Sequence, residues 1–100
     1  MSFSNLSSVT KTADAAAISG RTRVVGIYYT CTGTGSSFSL KNGATDAATA
    51  LVTINTPAAA GANDIIIPDM GILFDSGVFI DVTDVNVTSV TLFFEGGKVA

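Results

Sequence analysis

The chain has 100 residues, enough for one domain around a single core, and its 47% hydrophobic content is ordinary. Charged residues are only 13%, with 5 Lys and Arg against 8 Asp and Glu and a net charge of −3. That balance excludes nucleic-acid binding by phosphate neutralisation, and no polybasic run addresses an anionic membrane.

The opening "MSFSNLSSVTK" has neither a basic start nor an apolar centre, so an intracellularly made, soluble protein is expected. No apolar run approaches the roughly 20 residues of a membrane helix. Residues 1–19 are Ser-, Thr- and Ala-rich and show no amphipathic face. They are expected to be an N-terminal arm that gains order only against something else.

From Gly20 the pattern has period two. In "RTRVVGIYYTCT" (Arg21–Thr32), Val25, Ile27, Tyr29 and Cys31 share one face and are expected in the core. Val24, Tyr28 and Thr30 take the opposite face. Cys31 is the single cysteine and is read as a buried, inert thiol. "TGTGSS" makes a turn, then "SFSLK" sends Phe38 and Leu40 inward. Asn42-Gly43 is a strong turn dipeptide. "ALVTINT" (Ala50–Thr56) points Val52 and Ile54 inward, and "PAAAGAN" (Pro57–Asn63) reads as a loop.

"DIIIP" is a short strand ended by Pro68, which cannot donate to a ladder. A brief strand over Ile72–Phe74 follows. "VFIDVT" puts Val78, Ile80 and Val82 on one face and Phe79 on the other. In "TSVTLFFE", Val90, Leu92 and Phe94 face inward and Phe93 outward. "GGKVA" is read as turn and tail.

The sum is about seven short strands without a long helical pattern, which predicts an all-β, antiparallel, jelly-roll-like sandwich. The expected division is an arm at 1–19, a sandwich domain at 20–97 and a tail at 98–100. No catalytic constellation is found. The chain contains no histidine and neither a G-x-S-x-G nor an S-x-x-K motif, and its "GTG" lacks the Lys and helix of a phosphate loop. Asp64, Asp69, Asp75, Asp81 and Asp84 crowd the second half and read as turn residues. Calcium binding and paired-carboxylate catalysis are the lesser readings of the same residues, and no EF-hand spacing occurs. The expectation is therefore no enzyme, no cofactor and no metal.

Two phenylalanines remain to be explained. Phe93 and Phe94 are adjacent, and a regular strand cannot point both inward, so one needs a partner chain, a covering loop or a bulge that shifts the register and lets Phe93 join the core. Val24, Tyr28, Phe79 and Phe93 fall on the faces opposite the core and are the candidate interface. So low a charge fraction, about half the usual ~25%, implies that another chain covers part of the surface.

The stretch "SGRTRVVGIYYTCTGTGSSFSLKNGATDAATALVTI" resembles the opening of small β-sandwich structural proteins of tailed bacteriophages, marine ones especially. "IIIPDMGILFDSGVFIDVTDVNVTSVTLFFEGG" is similar to their second half, with its proline, "GI-x-F" step and closing "V-T-hydrophobic-F" strand. The resemblance covers about residues 20–97 and transfers no catalytic residue. It implies a virion component, a capsid decoration protein or a tail or fibre accessory. Such a protein would work as a homo-oligomer, with a trimer favoured, against other virion proteins. A carbohydrate- or host-receptor-binding module, with Tyr28, Tyr29 and loop aspartates as its site, is the alternative.

Overall fold

The computed structural model describes residues 6–100, and these contain strands and turns but no helix. Eight strands run in chain order: β1 (Ser7–Lys11), β2 (Ala15–Cys31), β3 (Ser37–Asn42), β4 (Ala50–Asn55), β5 (Gly61–Ile66), β6 (Ile72–Phe74), β7 (Val78–Val82) and β8 (Val87–Val99). Every pairing is antiparallel.

β2 organises the rest. Its first residues pair with β7, and its later ones pair with β6 and then β5 along the same edge. Its other edge belongs to β8. Two layers result, one in the order β1-β8-β2-β5 and the other in the order β2-β7-β3-β4. They join along the bent β2, which gives the all-β, antiparallel sandwich expected from the strand pattern.

The bend has a local cause. The β2–β8 register slips between Ser19 and Thr22, where Gly20, Gly96 and Gly97 all have positive φ. A bulge bends the strand that carries it and sharpens its twist. At this corner β2 exchanges β7 for β6 as its neighbour. Thr22 is buried there, and its hydroxyl donates to the Gly20 carbonyl at 2.8 Å.

The core lies between the layers. Ile27, Val90, Leu92 and Phe94 come from one, and Phe38, Leu40, Val78 and Ile80 from the other. Tyr29 meets Phe38 edge-on across the gap, ring centres 5.3 Å apart. Each fully buried aliphatic or aromatic side chain contributes roughly 1.5–3 kcal/mol.

Several expectations are corrected. Residues 7–19 are not an arm: β1 pairs along β8, Val9 is in the core, and Ala17 and Ile18 are buried at the start of β2. Residues 1–5 of that expected arm lie outside the described residues. The tail is a strand, since β8 continues to Val99 opposite Ile18, and Ala100 N–H donates to Ala17 C=O at 3.1 Å. β5 begins at Gly61, inside the stretch read as a loop.

Val24 is also corrected. It is 0% exposed, not on the outer face. A second bulge between Val24 and Gly26 inserts Val25 and shifts the alternation by one. Thr22 and Val24 face inward before it, and Ile27, Tyr29 and Cys31 after it. A one-residue slip moves every side chain to the other face.

Candidate functional site

Residues paired directly across a sheet share a face, so the register lays out the surface. On the outer face of the first layer, Ser8, Phe93, Gly26 and Ile66 form one row. Thr10, Thr91, Tyr28 and Asp64 form the next. Ser89, Thr30 and Ala62 form the third. On the outer face of the second layer, Ala16, Phe79, Lys41 and Ala50 form a row beside Asp81, Ser39 and Thr53.

Hydroxyl pairs stand where charges usually do. Thr10 meets Thr91 at 2.7 Å, Thr30 meets Ser89 at 2.6 Å, Ser37 meets Thr83 at 2.6 Å and Ser39 meets Thr53 at 3.0 Å. Thr–Thr and Thr–Ser pairs of this kind stabilise neighbouring strands by a few tenths of a kcal/mol up to about 1 kcal/mol. They satisfy their polar groups internally and leave a surface with little charge to desolvate.

Three of the four candidate interface residues lie on these outer faces. Tyr28 is 40% exposed, while Phe79 and Phe93 are half-buried. Phe93 lies over Gly26, whose missing side chain makes room for the ring. Phe79 lies between Ala16 and Lys41. Tyr28 and Phe93 sit on the same face of the first layer, and Phe79 is on the second, so the structure does not gather all of them in one patch.

The sequence reading missed Ile66, which is 83% exposed and shares a row with Phe93. Its signal was present: three consecutive isoleucines cannot all face one side of a strand. Exposed Leu51, Met70 and Val85 were also not singled out.

Acidic residues take three local roles. Asp84 accepts from the Asn86 N–H and the Ser36 hydroxyl, both at 2.9 Å, and those bonds hold its carboxyl below the ordinary value. Asp75 accepts from the Asn42 amide at 2.8 Å and from the Ser76 hydroxyl at 3.0 Å, with the same effect. These two act as the turn residues expected. Asp64 and Asp81 do not, because they lie within β5 and β7.

Asp14, Asp46 and Asp81 converge, their carboxylates within 4.8 Å of one another. The Lys41 ammonium lies at 2.8 Å from Asp46 and 2.9 Å from Asp81, and Asp14 accepts the Val82 N–H at 2.8 Å. The cluster therefore carries its own cation and ties the loop after β3 to β7. Lys41 is held above its ordinary value by these bonds, Asp46 first, and the Lys41 bond holds Asp81 below its own.

Tyr29 is buried against Phe38, so it cannot line a receptor site beside Tyr28. Cys31 is buried with its Sγ 3.5 Å from the Ala59 carbonyl. The described residues enclose no pocket.

No family model matches the chain, and no curated protein matches it. Among solved structures the chain is similar to the coat protein of tobacco streak virus, with 11% identity and a TM-score of 0.42 over 97% of this chain and 90% of that one. A likeness of that size says nothing of what this chain does.

Proposed function

We propose that this chain is a virion structural protein that acts by protein–protein contact, as a decoration or a tail or fibre accessory of a tailed-phage particle. The observation that carries the reading is the outer surface itself. Tyr28, Phe93 and Ile66 stand together on a sheet face whose remaining positions are mostly small or hydroxyl-bearing. Buried interface centres have this composition, rich in aromatics and poor in charge. The antiparallel two-layer arrangement agrees with it, since double-sheet sandwiches recur in viral capsid domains. The phage-like order of turns and strands along residues 20–97 points the same way.

On this reading the subunit is a homo-oligomer, with a trimer favoured, and its partners are copies of itself and other virion proteins. The outer face of the first layer supplies the contact through Tyr28, Phe93 and Ile66. Phe79 on the second layer supplies a separate contact.

The test is a map of purified particles together with mass spectrometry of their proteins. The chain is expected in the particle, in more than one copy, with Tyr28 and Phe93 covered by a neighbour. A protein that remains monomeric at micromolar concentration and shows no affinity for virion proteins overturns the reading.

A further inference from the structure

The free edge of β4 is built to accept a strand, and we infer that its partner is a second copy of β4, antiparallel about a two-fold axis at Thr53. This inference rests on the assembly reading above for its biological setting and adds a two-fold contact separate from the Tyr28 and Phe93 face that holds the favoured trimer.

The direction of the backbone groups follows from one bond outside the strands. Thr56 N–H donates to the Ser36 carbonyl at 2.9 Å, so Ser36 and Thr56 are a hydrogen-bonded pair. Such pairs alternate along an antiparallel ladder. Phe38 with Ile54 and Leu40 with Val52 are therefore the bonded pairs of β3 and β4. Thr53 and Asn55 turn their N–H and C=O groups the other way. The far side of β3 agrees, because Thr83 N–H donates to Ser37 C=O at 3.0 Å and shows the odd-numbered residues of β3 bonding β7.

Among the described residues, β3 is the strand paired with β4, and the far edge of β4 has no strand beside it. Natural edges are commonly blunted by charge, proline or a bulge. From Val52 to Asn55 this edge has none of them, its irregularity lying at Leu51. The other outer edges differ, since β1 carries Lys11 and β5 carries Asp64 with Pro68 beyond it. Pairing β5 with itself brings two Asp64 carboxylates into one short ladder. Pairing β4 with itself brings together no charge at all.

The register is self-complementary. Centring on Thr53 sets Val52 opposite Ile54 of the second copy, and Ile54 opposite its Val52. Both residues are left half-buried on the inner face by the single chain. The second copy completes their cover with β-branched cross-strand pairs, and the Thr53 residues meet on the outer face. The tyrosine and phenylalanine faces stay free for other contacts.

A six-residue edge makes a weak contact, so the experiment is sedimentation velocity on the full chain from about 10 to 200 µM, the range of transient interfaces. Thr53→Pro removes the outward donor at a position where an edge strand tolerates proline. Thr53→Lys places two ammonium groups at the axis. In a Tyr28→Ala background, which weakens the separate first-layer contact, dimers are expected, with association weakened at least tenfold when either Thr53 variant is added and the circular dichroism unchanged. Separately, Thr53→Cys in a Cys31→Ala background is expected to form a disulfide-linked dimer under mild oxidation, because paired Cα atoms about 5.5 Å apart suit the bond. Ala62→Cys on β5 is the control that does not. A monomer at 200 µM in the Tyr28→Ala background overturns the inference, as do dimers that persist there in both Thr53 variants. The two readings fail separately: a monomer that is still found in particles sinks the pairing alone, and β4-paired dimers absent from particles sink the assembly role alone.

Discussion

Phe93 lies across Gly26, its ring edge 3.3 Å from where a Cβ on Gly26 would stand. The two are cross-strand partners beside a bulge, and the ring covers backbone that would otherwise be open to water. An aromatic covering a glycine in a neighbouring strand restores packing the glycine lacks. Phe93 therefore has a use within the single chain, separate from the contact proposed for its exposed remainder.

The pair is testable as a cycle. Gly→Ala in an extended conformation stabilises a fold by roughly 0.4–1 kcal/mol through the unfolded chain. In the wild type that gain is cancelled, because the new methyl must push the Phe93 ring aside. In a Phe93→Ala background the gain is expected to appear. Urea midpoints of the four proteins give the coupling. Equal effects of Gly26→Ala in both backgrounds refute it. Phe93→Ala alone is expected to cost roughly 1–2 kcal/mol, less than the ~3–5 kcal/mol expected for the fully buried Phe94→Ala.

Val24 and Tyr28 separate core from surface. Val24→Ala empties space in the core and is expected to cost about 2 kcal/mol, read as a lower urea midpoint. Tyr28→Ala is expected to stay within about 1 kcal/mol of the wild type and to weaken association instead. The opposite pattern would mean that the bulge at Val25 does not redirect the strand.

That bulge marks how far the sequence could be read. Alternation alone placed Phe38, Leu40, Val78, Ile80, Val90, Leu92 and Phe94 correctly, because β3, β7 and the middle of β8 keep a regular pleat where their side chains meet the core. It misplaced Val24 because nothing local in "RVVGI" announces an extra residue. The bulge exists only in the pairing of Gly26 with Phe93. β1 was unreadable for a related reason. "SSVTK" carries a single core residue, Val9, and becomes a strand through the free edge of β8. The surface was legible as composition, few charges and surplus aromatics, but Ile66 needed the register of β5 on β2 to be placed beside Phe93.

The corner of β2 depends on Gly97. Its φ is +56°, and a Cβ there would collide with the Thr22 hydroxyl and stand 2.9 Å from the Ser19 carbonyl. Gly97→Ala is expected to destabilise by more than about 1 kcal/mol, since both the backbone region and the contacts are unfavourable. Thermal unfolding followed by circular dichroism measures it. An unchanged midpoint would show that β8 can leave this corner without cost.

The Lys41 cluster sets a pH dependence whose sign can be worked out. Asp81 and Asp84 are held below their ordinary value, Asp81 first by its bond from Lys41 and Asp84 first by the Asn86 N–H. In the unfolded chain both carboxyls take up protons at higher pH than in the fold, so as the pH falls the unfolded state binds more protons. Their stabilisation is present above the ordinary carboxylate range and is lost as pH drops through the lower folded values, below about pH 4. Lys41 is raised by Asp46 and then Asp81, so its share is complete below its ordinary value and is lost as the pH climbs past the raised one, in strong alkali. Urea midpoints at pH 7, 4 and 2.5 are expected to fall for the wild type and to fall less for Asp81→Asn and for Lys41→Met. Asp84 and Asp75 keep part of the slope in both variants. Lys41→Met should also flatten the alkaline limb, which Asp84→Ala should leave alone. An acid limb as steep in Lys41→Met as in the wild type would show that the ammonium does not hold Asp81 in its charged form.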